Sequence, residues 1–247
     1  MRIAVAGATG NIGALTVAAL ERRGHDVVGI SRSLGVDLLS GEGLDAALTG
    51  AEGVVDATNL PADDPVQAVT HFGAATRHLV AAGLTAGVRH HVLLSIVGLD
   101  RITGNAHYAG KREQESIVRA GPLPWTIVRA TQFHDFAATV TGWTERDGAA
   151  PIPPLLMQPI APADVADVLA EVVLGEPQGR HVDLAGPETH DLVDMARRTT
   201  QARGRTVRLV PTWSGLFGPE WAGDVLLPGE DARIAPTTFD DWLRDQR

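Results

Sequence analysis

With 247 residues, 44% of them hydrophobic, the chain is long enough for one large domain and apolar enough to bury a core. Its net charge of −9 argues against a nucleic-acid partner, and the lack of cysteine excludes disulfides and thiolate chemistry. There is neither a signal-peptide pattern nor a run of about 20 apolar residues, so we expect a cytoplasmic protein without a membrane partner.

The first element is an apolar strand over residues 2–6 that leads through a glycine-rich turn into a helix over residues 14–23. Such a turn directs backbone N–H groups and the positive end of a helix dipole at an anion. Gly7 permits the sharp turn, Gly10 lets a pyrophosphate approach, and Gly13 lets the helix pack closely. This pattern predicts a dinucleotide site, and a structural turn without a ligand is the alternative. The predicted binding residues here are Gly7, Thr9, Gly10, Asn11, Ile12 and Gly13.

Strands and helices then alternate through the first half of the chain. The strands are predicted over residues 27–30, 54–56, 91–95 and 125–129, and the helices over 44–48, 66–82 and 108–120. Continuous rather than alternating hydrophobicity in the strands indicates a parallel sheet covered on both faces. We therefore predict a doubly wound α/β fold, Rossmann-like, with the strand order 3-2-1-4-5-6 and the cofactor at the carboxyl ends of the strands.

After residue 130 the pattern changes, which predicts a small C-terminal lobe on a single domain. Helices are predicted over 131–141, 163–174 and 192–202, strands over 180–185 and 207–210, and an extended connection over 149–162. Four of the five tryptophans lie in this part: Trp143, Trp213, Trp221 and Trp242. They favour an apolar substrate pocket, although packing of the lobe explains them equally well. We expect residues 1–130 mainly to bind a cofactor and residues 131–247 to contribute the substrate lobe.

Polar side chains follow the second strand. An NAD-selective site has an acidic residue at this place for the ribose hydroxyls, whereas this chain has Ser31, Arg32 and Ser33. Arginine can pair with a 2′-phosphate, and the serines can donate to it. The segment therefore predicts NADP (NADPH) rather than NAD, the alternative being that Arg32 is only a solvated surface residue.

The ends of the third, fourth and fifth strands supply further candidates, and Ser95 ends the fourth. Thr58 and Asn59 could contact the adenosine or the ribose, and Gln132 follows the fifth strand near the expected nicotinamide. His134 fits packing or substrate contact better than catalysis, because its neighbour Asp135 points about 100° away on a helix. The scattered histidines have no metal-binding spacing, so no metal site is predicted.

The chain resembles the atypical short-chain dehydrogenase/reductase group, and more closely its NmrA-like NAD(P)H-binding proteins. The resemblance covers about residues 1–190 and rests on five segments: 7–13, 94–96, 111–115, 123–129 and 163–166. It implies the fold and a nicotinamide cofactor but no single reaction, because the group includes reductases, quinone reductases and silent redox sensors. It also implies that the region of Ser95 lies beside the nicotinamide, where Ser95 could bind a substrate oxygen.

The chain departs from the Tyr-x-x-x-Lys pattern of the wider family. Four residues before Lys111 stands His107, and Tyr108 stands three before it. On a helix, His107 is rotated about 40° from Lys111 and Tyr108 about 60°, on opposite sides, so either could face the cofactor. The resemblance implies that Lys111 binds the ribose and that His107 occupies the donor position, where a reference pKa near 6.5 suits acid–base work. Protonation by solvent, or no hydride transfer at all, is the alternative.

Together these features predict an NADPH-dependent oxidoreductase that acts on a carbonyl, an enone or a quinone of a small apolar molecule. Two alternatives remain open. One is a cofactor-binding sensor or regulator without turnover, and the other is a non-redox isomerase or cyclase on the same fold. The sequence makes no prediction of the oligomeric state.

Overall fold

The computed structural model describes residues 1–60 and 64–246, which form two compact units. The first unit comprises residues 1–129 and 165–182, and the second comprises residues 130–164 and 183–247. The elements up to residue 130 are β1 (Arg2–Ala6), α1 (Asn11–Arg22), β2 (Asp26–Ile30), α2 (Leu44–Leu48), β3 (Gly53–Asp56), α3 (Pro65–Ala86), β4 (His90–Ile96), α4 (Ala106–Ala120) and β5 (Trp125–Ala130).

The rest of the chain contributes shorter strands and four more helices among the described residues. These elements are α5 (Phe136–Thr144), β6 (Ala149–Ile152), β7 (Leu156–Met157), α6 (Pro162–Leu174), β8 (His181–Ala185), β9 (His190–Asp191), α7 (Leu192–Ala202), β10 (Arg208–Pro211), β11 (Arg233–Ile234) and α8 (Phe239–Arg244). Within the described ranges, none of the helices has the length and hydropathy needed to cross a bilayer.

A seven-stranded parallel sheet organises the fold, with the strand order β11-β8-β5-β4-β3-β1-β2. The predicted doubly wound α/β class is confirmed. Parallel strands require long crossover connections, which helices supply here, and the carboxyl ends of neighbouring strands meet at one edge of the sheet. Polar residues that follow β1, β3 and β4 are thereby brought close together.

The predicted strand order 3-2-1-4-5-6 is wrong about the third strand. β3 lies between β1 and β4, with Ala4 opposite Val54 and Val55 opposite Val92, and β2 is the edge strand. All four residues of β3 are buried, as an interior strand requires, whereas most of β2 is partly exposed. Residues 31–52 lead the chain back past β1, and Leu44 and Leu48 of α2 pack there in one apolar cluster with Val54.

The helix predicted over residues 131–141 begins only at Phe136. Residues 131–133 are not helical because their backbone is hydrogen-bonded to other segments, and residues 134 and 135 form a turn. The N–H of Thr131 donates to the carbonyl of Leu184, and the N–H of His134 donates to that of Ile160, at 2.9 Å each. Tertiary pairing therefore overrides the local helical pattern in this segment.

Candidate functional site

Two of the three turn glycines are required by the protein itself. Gly7 has a φ of +77°, and a Cβ on it would lie 2.7 Å from the carbonyl oxygen of Ala57. A Cβ on Gly13 would lie 2.0 Å from the carbonyl oxygen of Gly7, so α1 can pack against the turn only if residue 13 has no side chain. These two positions fit the roles predicted for them, and both would be needed even in a turn that binds nothing.

Gly10 differs, because its neighbours in the protein constrain it less than those of Gly7 and Gly13 do. Its φ is −80°, which any L-residue adopts, and a Cβ there would have only the carbonyl oxygen of Gly7 within 4 Å, at 3.2 Å. Gly10 stands at the N-terminus of α1, where the helix dipole is positive and backbone N–H groups lack intrahelical partners. A side chain at residue 10 would fill the space that an anion approaching this helix end needs.

The segment after β3 lies directly beside this turn, since β1 and β3 are paired. Thr58 is buried, and its hydroxyl donates to Oδ1 of Asp56 at 2.6 Å, so the side chain is already engaged within the protein. Asn59 is exposed. Of the two residues predicted after this strand, Asn59 therefore has the freer side chain, and Thr58 presents its backbone.

The segment after β2 forms a short 3₁₀ turn over Arg32–Leu34. The hydroxyls of Ser31 and Ser33 lie 3.0 Å apart, and the N–H of Gly7 donates to the carbonyl of Ile30, which links this segment to the glycine turn. Arg32 is exposed, and its guanidinium has no hydrogen-bond or ion-pair partner among residues 1–60 and 64–246. An arginine without a partner at this place is available to an anionic ligand.

α4 brings in the predicted lysine, tyrosine and histidine. Asn105 caps this helix by accepting the N–H of Tyr108 at 3.1 Å. Lys111 is only 4% exposed, and its Nζ donates to the carbonyl oxygens of Thr58 and Leu94, each at 3.0 Å. Lys111 is the only lysine among the 21 basic residues of the chain, and Tyr108 is its only tyrosine. Lys111 thus ties together the chain segments at the ends of β3 and β4.

Burial changes the acid–base properties of this helix. It lowers the pKa of Lys111 to about 8, against the opposing effect of the carboxylates of Asp56 and Glu115. Burial, and then the charge of Lys111, lower the pKa of His107 to about 4. Its ring packs edge-on against that of Phe72, with centroids 5.7 Å apart. At neutral pH His107 is therefore uncharged. Its prediction as a proton donor was based on the ordinary histidine pKa, which does not hold for this buried ring.

Ser95, near the end of β4, carries a hydroxyl that is not satisfied by the protein. The residue is 2% exposed, and its Oγ has no hydrogen-bond partner in the described part of the chain. Buried polar groups of native proteins are normally paired with protein, water or ligand. The serine directly follows Leu94, whose carbonyl accepts from Lys111, so an orphaned hydroxyl lies next to the lysine contact.

Two further candidates belong to the second unit. The carbonyl of Gln132 accepts the N–H of Ile160 at 2.9 Å, and its part in cofactor binding stays a prediction. His134 is buried between Phe239 and Trp242, with ring centroids 5.4 and 5.7 Å away. Burial lowers its pKa to about 4. This environment fits the packing role.

Sequence reasoning missed two buried polar residues beside Lys111, namely Asp56 and Gln114. Asp56 is the last residue of β3, and Gln114 follows Lys111 by one helical turn. The sequence carried a signal for Asp56, because a carboxylate that ends an apolar strand requires partners. It carried none for Gln114, because only the structure shows that this amide is buried. Only the structure shows that the two residues are partners of each other, at 3.1 Å.

Comparison with known proteins shows what the sequence of the chain is similar to. A family model described as NAD(P)H-binding matches residues 7–176. A reductase of Streptomyces griseus, named (4-alkanoyl-5-oxo-2,5-dihydrofuran-3-yl)methyl phosphate reductase, is 29% identical over 227 residues, which cover 83% of this chain and 75% of the relative.

Solved structures show the same fold. A short-chain dehydrogenase/reductase superfamily protein of Agrobacterium tumefaciens with bound NAD has a TM-score of 0.71 at 19% identity, covering 100% of this chain and 96% of that one. An NADPH-dependent quinone oxidoreductase of Escherichia coli in complex with NADPH has a TM-score of 0.66 at 19% identity, with 85% and 78% covered.

Proposed function

Because the chain belongs to the NAD(P)H-binding family, we propose that it is an NADPH-dependent oxidoreductase that reduces a carbonyl, an enone or a quinone of a small apolar molecule. The observation that carries the binding part is Gly10. Its φ does not require a glycine, a Cβ there would meet one protein atom at 3.2 Å, and the residue stands at the positive end of α1. A ligand pyrophosphate at this helix end supplies a further reason for a glycine.

The preference for NADPH rests on Arg32. The structural neighbours hold either cofactor, NAD in one and NADPH in the other, so the fold does not choose between them. Arg32 is exposed and without a protein partner directly after β2, where NAD-selective sites have an acidic residue. A guanidinium there favours the cofactor that carries a 2′-phosphate.

The substrate class rests on the names of the relatives together with the unsatisfied hydroxyl of Ser95. The Streptomyces relative is named as a reductase of an (alkanoyl-oxo-dihydrofuranyl)methyl phosphate, and the Escherichia coli protein as a quinone oxidoreductase. Both names describe compounds that contain carbonyl groups. The buried Oγ of Ser95 could donate to such an oxygen, and this would satisfy a group that the protein leaves unpaired.

The proposed division of labour follows from the site. Bound NADPH would supply the hydride. Lys111 donates two hydrogen bonds within the protein and keeps a third N–H for the ribose. Since His107 is neutral at pH 7, the proton comes from Tyr108 or from solvent.

Substitution of Gly10 by valine tests the binding site. We expect Gly10→Val to weaken NADPH binding by about 100-fold or more, because the side chain occupies the path of the phosphate, while circular dichroism and the thermal midpoint stay near wild type. Gly142→Val is the matched control, since a Cβ at that helical glycine meets no atom within 4 Å. A folded Gly10→Val protein with wild-type NADPH affinity would contradict the site.

Turnover separates the oxidoreductase from a sensor. The substrate-dependent loss of NADPH absorbance is measured with a panel of quinones, enones and ketones. Oxidation of NADPH with at least one of them supports the proposal. Tight NADPH binding without oxidation by any of them would favour a cofactor-binding regulator.

A further inference from the structure

A buried carboxylate is hydrogen-bonded to residues around Lys111, the lysine of the proposed cofactor site. Asp56 is 1% exposed and has no cationic partner within ion-pair distance among the described residues. Its Oδ1 accepts the N–H of Thr58 at 3.0 Å and the hydroxyl of the same residue at 2.6 Å. Its Oδ2 accepts Nε2 of Gln114 at 3.1 Å. Burying a carboxylate costs free energy unless it is hydrogen-bonded. Here both oxygens of Asp56 accept hydrogen bonds, which offset that cost.

Gln114 connects Asp56 to two helices. Its side chain is completely buried, and Nε2 also lies within hydrogen-bond distance of the hydroxyls of Thr58 and Thr76, at 3.2 and 3.1 Å. Thr76 belongs to α3, and Gln114 lies one helical turn after Lys111 on α4. Asp56 is therefore linked to the helix that carries Lys111 and also to Thr58, whose carbonyl accepts from Lys111.

We propose that Asp56 is a positioning residue for Lys111, because its carboxylate holds Thr58, which accepts from the lysine, and Gln114, on the helix that carries the lysine, and keeps the ammonium charged. This inference rests on the proposed function only in taking the ligand of Lys111 to be the cofactor. Asp56 itself is buried, so it acts through Lys111 and not on a substrate.

The positive charge of Lys111 matters because protonation sets the number of N–H donors on its side chain. An ammonium has three N–H groups, and Lys111 uses two of them on the carbonyls of Thr58 and Leu94. A neutral amine has only two, so the third donor exists only while Lys111 is protonated. Burial already lowers the pKa of Lys111 to about 8, and Asp56 is the larger of the two influences that oppose this fall. Loss of the Asp56 charge would bring deprotonation closer to neutral pH.

The other groups near Lys111 do not replace Asp56. Glu115 on α4 also favours the ammonium, but it is bound by Arg129 of β5 at 2.7 and 2.8 Å and by Arg119 at 2.7 Å. His107 on the same helix is uncharged at pH 7 because burial lowers its pKa to about 4.

The elements packed against α4 add no further compensating charge. From α3, the ring of Phe72 lies 5.4 Å from Nζ of Lys111. On β4, His91 is fully buried near Asp56, and burial lowers its pKa, so it is neutral as well. Among the described groups around Lys111, Asp56 is thus the carboxylate that no guanidinium neutralises.

The test uses the single lysine of the chain. Labelling with ¹³C-lysine gives one side-chain signal set, whose titration reports on Lys111 directly and needs no cofactor. We expect Asp56→Asn to move the titration midpoint down by about one pH unit or more, since a nearby opposite charge is lost. Asp100→Asn is the matched control, because Asp100 is an exposed carboxylate paired with Arg129, and it should leave the midpoint unchanged. An unchanged midpoint in Asp56→Asn would overturn the proposal.

A double variant that exchanges the carboxylate and the amide tests whether the Lys111 midpoint can be restored. It also serves if the single variant Asp56→Asn does not fold. Asp56→Asn combined with Gln114→Glu restores one carboxylate–amide pair with the two groups exchanged. We expect the Lys111 midpoint to return to within half a pH unit of wild type. A midpoint that stays low by more than one unit in this double variant would contradict the proposal even if the single variant cannot be purified.

NADPH affinity measured against pH completes the design. Wild type should lose affinity above about pH 8, where Lys111 deprotonates, and Asp56→Asn should lose it at lower pH. If wild type binds no NADPH at any pH, the proposed function fails, while the lysine titration still decides the role of Asp56.

Discussion

Replacement of Lys111 by methionine separates the free-energy cost of burying the ammonium from the contribution of the ammonium to NADPH binding. Methionine keeps an unbranched, flexible side chain but removes the ammonium and its hydrogen bonds. The variant should fold, because two opposing contributions to the free energy of unfolding partly offset each other. Its NADPH affinity should fall by at least about tenfold, because a charge-assisted hydrogen bond to the ligand is lost.

The size of each contribution follows from the structure. Folding lowers the pKa of Lys111 from 10.5 to about 8, which corresponds to a cost of about 3 kcal/mol for carrying the charge in the folded protein at pH 7. Removing the ammonium relieves this cost. It also leaves the carbonyls of Thr58 and Leu94 without this donor, at about 1–3 kcal/mol each. We expect stability at pH 7 to lie within about 3 kcal/mol of wild type.

The pH dependence gives the sharper test. The folded-state pKa lies below the unfolded one, so the cost is fully present below pH 8 and fades as the pH rises to 10.5. The free energy of unfolding of wild type should therefore gain up to about 3 kcal/mol over this range relative to Lys111→Met. Urea denaturation of both proteins between pH 7 and 10.5 measures the difference, in which the titration of all other groups cancels. A difference that does not change with pH would refute the reasoning.

Two other substitutions address the cofactor and the proton donor. Arg32→Ala should weaken NADPH binding by about 10- to 100-fold, as expected for the loss of a charge-assisted contact of about 1.5–3 kcal/mol, and should change NADH binding little. Equal losses for both cofactors would remove Arg32 from this role. His107→Phe should keep both binding and turnover, because the imidazole is already neutral at pH 7. Tyr108→Phe should keep binding, and a drop in turnover of about 100-fold or more would identify the tyrosine as the donor; full activity in both variants would point to solvent.

The boundaries of the first five strands could be predicted from the sequence to within one residue, because buried parallel strands are short apolar runs between turn residues. α3 extends four residues further than predicted, through Gly83. Gly83 lies inside the helix and packs against the side chain of Leu123. The helix ends at Gly87, whose φ is +76°. The position of β3 could not be read from its own residues, because strand order depends on which strands pair in the tertiary structure.

In the candidate site, too, some features could be predicted from the sequence and others could not. The roles of Gly7 and Gly13 follow from spacing alone, because a strand–turn–helix connection constrains the backbone locally. The uncharged state of His107 and the influence of Asp56 on Lys111 do not follow from spacing, because burial and charge–charge distances belong to the folded chain. Spacing places His107 and Lys111 on one side of a helix, but it carries no information about the solvent around them.

The most direct test of the proposed activity is the steady-state oxidation of NADPH, measured beside NADH, with a quinone and an enone as acceptors. We predict acceptor-dependent turnover that prefers NADPH and that is lost in Gly10→Val but not in Gly142→Val. A wild-type protein that binds NADPH but oxidises it no faster in the presence of any acceptor would contradict the account of this chain as an oxidoreductase.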